Sequence, residues 1–236
     1  MASTSDNAMQ PLEFSGPPCR LRLAGLLISL VEKAHLLIPA ALSKDGEPEK
    51  VQAGVLQRAG GVHVHAQLAP DTPPGEYPTQ MQIDGATHEV TLRVEAAPRL
   101  RARPNRSVFG GHPGGAAKAT VTLVNLGNVS IDIPDVAVVG MYDNDGLEEA
   151  FAGVYRQESN DPLFLIGHLI RGLREGSGGL LKLRLDPGAG ELAPGAERVV
   201  TFKTNLPEKL KPGHSYHGVW KLGPMHHSIG INVHRG

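Results

Sequence analysis

Imidazoles dominate the reactive side chains of this 236-residue chain, which has eleven histidines and one cysteine. Imidazole is a common ligand for transition metals, so metal binding is the first chemistry to test. His63 and His65 stand two apart in an alternating stretch, which puts both rings on one strand face. A third ligand has to come from elsewhere. His214, His217, His226, His227 and His234 crowd the C-terminus. A hairpin turning at Gly223-Pro224 pairs Leu222 with Met225, Lys221 with His226, Trp220 with His227 and His217 with Gly230, so no two of these histidines face each other. Adjacent His226 and His227 point to opposite faces. A histidine-based metal-binding protein is therefore the weakest of the functional readings, behind solvent-facing or locally bonded histidines.

The other motifs each lack a requirement of the chemistry they suggest. Asp143-Asn144-Asp145-Gly146 looks like part of a calcium loop, but Met141 stands in the first ligand place and Ala152 falls where a bidentate glutamate belongs. An Asx-rich turn is the better reading. Ser177, within Glu175-Gly176-Ser177-Gly178-Gly179, follows a helical pattern and lacks the first glycine of a nucleophile elbow, so it reads as a loop. Gly110-Gly111-His112-Pro113-Gly114-Gly115 precedes a strand and has no Lys-Ser/Thr pair, so it reads as a flexible loop and not a phosphate cradle. With no nucleophile-base pair, metal triad or cofactor loop, the expectation is a non-enzymatic protein with no cofactor.

Composition sets the scaffold. Twenty-nine glycines and nineteen prolines with only 4% aromatic residues favour many short strands separated by turns. A formal net charge of -1 gives no electrostatic footprint for nucleic acid. Cys19 stands alone, so no internal disulfide staples the fold. Residues 1-11 are polar and lack the basic start and apolar stretch of a signal peptide; they read as a disordered tail. The most apolar region, Leu21 to Leu42, is broken by Glu32, Lys33 and His35 and is not a membrane span. The expected location is cytoplasmic or peripheral to a complex.

Along the chain, Val62, Val64, Ala66 and Leu68 alternate with His63, His65 and Gln67 in a strand. It leads through Pro70-Asp71-Thr72-Pro73-Pro74-Gly75 into a strand from Tyr77 to Ile83, then a hairpin turn at Asp84-Gly85 and a strand from His88 to Val94. Ala96-Ala97-Pro98 marks a boundary, giving domains over 12-97 and 98-236. The second repeats the first's ending: Pro212-Gly213-His214-Ser215-Tyr216 and the strand from Ile229 to Val233 match Pro74-Gly75-Glu76-Tyr77 and Val90 to Val94. Gly127-Asn128 suits the positive φ of a tight turn.

One segment breaks the β pattern. Asp161-Pro162 supplies a helix N-cap and first-turn proline, and Leu165, Ile166, Leu169, Ile170 and Leu173 recur at helical spacing up to Gly176. The helix sits in an insertion over 141-176, longer than sandwich loops need. Its apolar stripe either caps an open end of the sandwich, the commoner fate of such stripes, or docks a partner.

Asn125-Leu126-Gly127-Asn128, Leu192-Ala193-Pro194-Gly195, Leu210 to Tyr216 and Pro70 to Tyr77 resemble the strand turns and closing hairpins of bacterial immunoglobulin-like domains. That family is associated with carbohydrate-binding modules and surface-protein repeats. The resemblance covers most of 60-140 and 178-236. It implies an all-β fold of two tandem immunoglobulin-like β-sandwiches, the second with a short helical insertion. It also suggests a glycan or cell-surface partner, although Trp220 and Tyr216 read as core rather than an exposed aromatic platform.

Arg99, Arg101, Arg103 and Arg106 form one basic cluster whose alternating members share a strand face. It either guards a sheet edge or grips an acidic protein surface or anionic lipid headgroups. The leading expectation is an accessory or scaffold subunit contacting other protein subunits of a larger assembly, with an anionic membrane surface as a further partner. Leu165, Ile166, Leu169, Ile170, Leu173, Arg99, Arg101 and Arg103 are the candidate contact residues.

Overall fold

The computed structural model describes residues 12–24, 33–43, 46–58 and 61–235. The expected tail over 1-11 lies outside the described residues. The chain divides into two compact units: one runs through Pro98 and includes Leu126–Val129, and the other comprises Arg99–Asn125 and Ser130 onward.

The first unit contains β1 (Leu12–Gly16), β2 (Leu21–Ala24), β3 (Ala34–Ile38), β4 (Glu49–Gln52), β5 (Gly54–Arg58), β6 (Gly61–Ala66), β7 (Gly75–Ile83) and β8 (Ala86–Val94). Their order is β4-β3-β7-β8-β1-β2-β6-β5. β1 pairs parallel with β8 and antiparallel with β2, so it joins a β4-β3-β7-β8 layer to a β2-β6-β5 layer. In immunoglobulin lettering these layers are C′CFG and BED. Alternation along the strands sends Phe14, Leu21, Leu36, Met81 and Leu92 into one core, where each is fully buried. Burying such a side chain contributes about 1.5–3 kcal/mol.

The β7-β8 turn has Asp84 at φ 46° and Gly85 at φ 92°, the paired positive angles that a two-residue hairpin requires and that the Asp-Gly pair predicts. Gly127-Asn128 differs from expectation, because neither residue adopts a positive φ. The local role falls to the Asn128 side chain instead. It is buried and accepts from the Ala97 amide at 2.7 Å while donating to the carbonyls of Thr72 at 3.0 Å and Glu95 at 2.9 Å.

The second unit contains β9 (Leu100–Arg103), β10 (Arg106–Gly111), β11 (Ala116–Asn125), β12 (Ile131–Ile133), β13 (Val136–Asp143), α1 (Gly146–Tyr155), α2 (Pro162–Glu175), β14 (Ser177–Leu185), β15 (Gly190–Leu192), β16 (Glu197–Asn205), β17 (Ser215–Leu222) and β18 (Met225–Val233). The main sheet runs β10-β18-β17-β13-β14-β16-β11-β9. β10-β18-β17-β13 is the A′GFC layer and β14-β16-β11-β9 is DEBA. β14 pairs with β13 from Ser177 to Arg184 and with β16 at Arg184 and Leu185, so this strand hands the chain from one layer to the other. Phe109, Leu123, Leu181, Phe202 and Ile229 fill the core between the layers. β12 and β15 form a separate pair that adds Ile131, Ile133 and Leu192 to it. The chain is thus all-β, two tandem immunoglobulin-like sandwiches with a helical insertion in the second.

Both units tie down the turn before their F strand with a tyrosine hydroxyl. Tyr77 donates to the Pro73 carbonyl at 3.0 Å, and Tyr216 accepts from the Lys211 amide at 2.9 Å. Two loop readings are corrected. Ser177 opens β14, and Gly110 and Gly111 belong to β10, paired with Asn232 and Val233. Glycine suits those last two places because a Cβ at Gly110 would lie 3.2 Å from the His234 ring and one at Gly111 3.1 Å from Leu206.

Candidate functional site

The insertion between β13 and β14 is a hairpin of two helices rather than one helix in a long loop. Met141, Tyr142 and Asp143 belong to β13, so the chain leaves the sheet at Asn144, three residues later than the expected 141. Its base is fixed by polar contacts. The Asp143 amide donates to the Gly176 carbonyl at 2.8 Å, closing the two ends of the insertion together. The Asp143 side chain is buried; it accepts from the Asp145 amide at 3.3 Å and from His214 Nδ1 at 2.9 Å. Asp143-Asn144-Asp145 is therefore the Asx turn its composition suggests, with the carboxylate used internally. The Asn144 amide donates to the Ser215 carbonyl at 2.9 Å, and His217 donates to the Asn144 side chain at 2.9 Å.

α2 begins as the sequence predicts, with Asp161 accepting from the Leu163 amide at 3.0 Å and Pro162 in the first turn. α1 was not read from the sequence, although Glu148 and Glu149 in its first turn and the Leu147, Phe151, Tyr155 spacing are helical signals. The helices meet at small residues: a Cβ on Gly172 would lie 2.8 Å from Ala150, and one on Gly146 would lie 3.0 Å from Gly176.

This packing divides the predicted stripe. Leu165 and Leu169 are half-buried on the side of Gly172, which faces α1. Ile166, Ile170 and Leu173 are 52%, 47% and 41% exposed and continue a row begun by Leu163. Leu147, Phe151 and Tyr155 form a second exposed row on α1. None of the fourteen residues of α2 is buried, so the stripe does not cap the sandwich. The hairpin thus presents two exposed apolar rows, one on each helix.

The arginine cluster is only partly brought together. Arg99, Arg101 and Arg103 are exposed, the last two on edge strand β9 opposite Val124 and Thr122. Arg106 instead opens β10 in the other layer and lies against Gly230. The four arginines therefore do not share one face, because the chain changes layers between Arg103 and Arg106.

The β17-β18 register pairs Leu222 with Met225, Lys221 with His226, Trp220 with His227 and His217 with Gly230, as the Gly223-Pro224 turn predicts. Among the described residues no three His, Cys, Asp or Glu side chains are grouped to hold a metal ion. Trp220 and Tyr216 are buried, which leaves neither available as a platform for a sugar ring. No helix among the described residues is long and apolar enough to cross a membrane.

His227 is wholly buried between Phe202 and Trp220, with Nε2 2.8 Å from Ser107 Oγ and Nδ1 unpartnered. Burial lowers its pKa from the ordinary value of 6.5. The folded state therefore keeps the ring neutral where the unfolded chain takes up a proton. The second unit is expected to hold full stability above about pH 6.5 and to lose about 1.4 kcal/mol per pH unit below it, down to the lowered folded value. Urea unfolding followed by Trp220 fluorescence across pH 7.5 to 5 measures this slope. The paired change His227→Leu and Ser107→Ala should flatten it.

No family model matches the chain, and no curated protein matches it. Among solved structures it is similar to a PapD-like domain of human CEP192, with 15% identity over 58% of this chain and 86% of that one, at a TM-score of 0.29. A protein of unknown function from Porphyromonas gingivalis W83 shares 13% identity over 95% of this chain and 96% of its own, at a TM-score of 0.26. A titin I-band fragment, I67-I69, shares 9% identity over 94% of this chain and 63% of its own, at a TM-score of 0.31.

Proposed function

We propose that this chain is a non-enzymatic accessory or scaffold subunit of a larger protein assembly, and that the α1-α2 hairpin is its docking element. The observation that carries this reading is the uncovered apolar surface of the hairpin. Leu147, Phe151, Tyr155, Leu163, Ile166 and Ile170 are all exposed, while the sandwich below buries Phe109, Phe202, Tyr216 and Trp220. Exposing that much apolar side chain on an ordered pair of helices is unfavourable in water, and an interface removes the cost. The proposed partner surface is itself apolar where the exposed rows dock, and the exposed Glu148, Glu149, Arg171 and Arg174 of the same helices would form a polar rim around it. The second sandwich anchors the hairpin at its base, where the Asp143 amide donates to the Gly176 carbonyl.

The test is purification of the tagged full-length chain from its source cells, with the mass of the particle measured by light scattering. A stoichiometric complex cross-linked through residues 147–173 is expected. Ile166→Asp with Ile170→Asp should weaken it at least about a hundredfold, the scale on which central apolar anchors act. A strictly monomeric particle, or a complex unchanged by these two substitutions, would sink the reading.

A further inference from the structure

A second surface of the second unit carries chemistry of a different kind. Lys118 on β11 pairs directly with Lys203 on β16, and Lys203 pairs with Arg184 on β14. Three cations thus stand on one rung of the sheet, all exposed on the side away from the core. Lys182, two residues before Arg184, lies on the same face. These four side chains line one open groove of about 740 Å³, together with Ala116 and Asn205. Like charges placed directly opposite destabilise a sheet, so fold stability does not account for this arrangement.

Only Lys203 has an ion-pair partner, Asp186, at 3.0 Å; Lys118, Lys182 and Arg184 have none among the described residues. Four cations against one carboxylate leave an excess of three positive charges on one open patch of the sheet face, enough to attract an anion by local field. Arg101 and Arg103 extend the same face across β9, through their pairing with Val124 and Thr122 on β11. Glu197, opposite Val124, is the carboxylate at that end.

We propose that this groove binds a ligand bearing more than one phosphate. A phosphate monoester carries about −1.5 to −2 charges near neutral pH and three acceptor oxygens, so two of them match the excess where single carboxylates fall short. The lysines supply point charges, and the Arg184 fork can take two oxygens of one phosphate. The phosphates come either from a soluble compound or from a lipid headgroup. Val138 and Leu180, 58% and 71% exposed beside the groove, would touch a bilayer but would add nothing to a soluble ligand.

The experiment uses the full chain with two probes: inositol hexakisphosphate in solution, and phosphatidylcholine vesicles carrying phosphatidylinositol bisphosphate. Binding to at least one probe is expected, falling with salt, and Lys118→Gln with Lys182→Gln should weaken it about 30-fold. Soluble binding of equal strength identifies a free phosphate compound. Binding to vesicles alone, weakened further by Val138→Ser with Leu180→Ser, identifies a headgroup. Removing the two lysines relieves repulsion, so the melting temperature should stay level or rise. The proposal is overturned if wild type binds neither probe, or if Lys209→Gln with Lys221→Gln weakens binding equally. A lower melting temperature for the groove variant would also overturn it, because the lysines would then serve the fold.

Discussion

Replacing Asn128 by alanine is expected to destabilise the first unit by about 2–4 kcal/mol, because three hydrogen bonds vanish and their partners stay behind. The Ala97 amide and the carbonyls of Thr72 and Glu95 all converge on this one buried side chain. For a unit of this size, each kcal/mol corresponds to about 4–8 °C in melting temperature. Asn128→Asp is the sharper test. A carboxylate still accepts from Ala97 but turns an acceptor toward two carbonyls in a dry site, so it should be at least as damaging as alanine. Calorimetry would show the first unit's transition moving down, and Trp220 fluorescence follows the second unit separately. An Asn128→Asp variant as stable as wild type would mean that the amide donor bonds contribute nothing.

The second large effect concerns the helical hairpin. Gly172→Leu places a Cβ where Ala150 already stands, at 2.8 Å, so α1 and α2 must separate. Leucine is the better helix former by about 0.8 kcal/mol, so any loss reflects packing between the helices and not helix propensity. Gly167 provides the contrast, because nothing lies within 4 Å of a Cβ there and Gly167→Leu should strengthen α2. Hydrogen exchange should accelerate across 146–175 in Gly172→Leu and slow across α2 in Gly167→Leu, with β11 and β16 unchanged in both. If the hairpin is the docking element, partner affinity should fall about tenfold or more with the first substitution and hold with the second. Equal exchange in both variants would mean that the helices do not meet at Gly172.

Much of the molecule is written in short-range pattern. Asp84-Gly85, the Gly223-Pro224 hairpin, the tyrosines at 77 and 216 and the Asp161 cap each depend on residues a few places away, and their period or turn chemistry specifies them. The register of β17 on β18, and with it the separation of the C-terminal histidines, follows from one turn. Where a second signal competed, the local reading failed. The turn signature of Asp143 to Gly146 overlaps the start of α1, whose first residue is Gly146. The Gly127-Asn128 pair looked like a positive-φ turn because its buried partners, Thr72 and Glu95, lie far away in sequence.

The surfaces proposed for function are set by tertiary structure. Helical spacing identifies Leu165, Ile166, Leu169, Ile170 and Leu173 as one stripe, but α1 shelters two of them and, among the described residues, no strand covers the others. The four arginines are close in sequence, yet the chain passes from one sandwich layer to the other between Arg103 and Arg106. Lys118, Lys182, Arg184 and Lys203 are scattered along the chain and become neighbours only because β11, β16 and β14 lie side by side. The physical reason is common to all three. Periodicity determines which side of an element a residue occupies, whereas strand order and helix packing determine what, if anything, stands against that side.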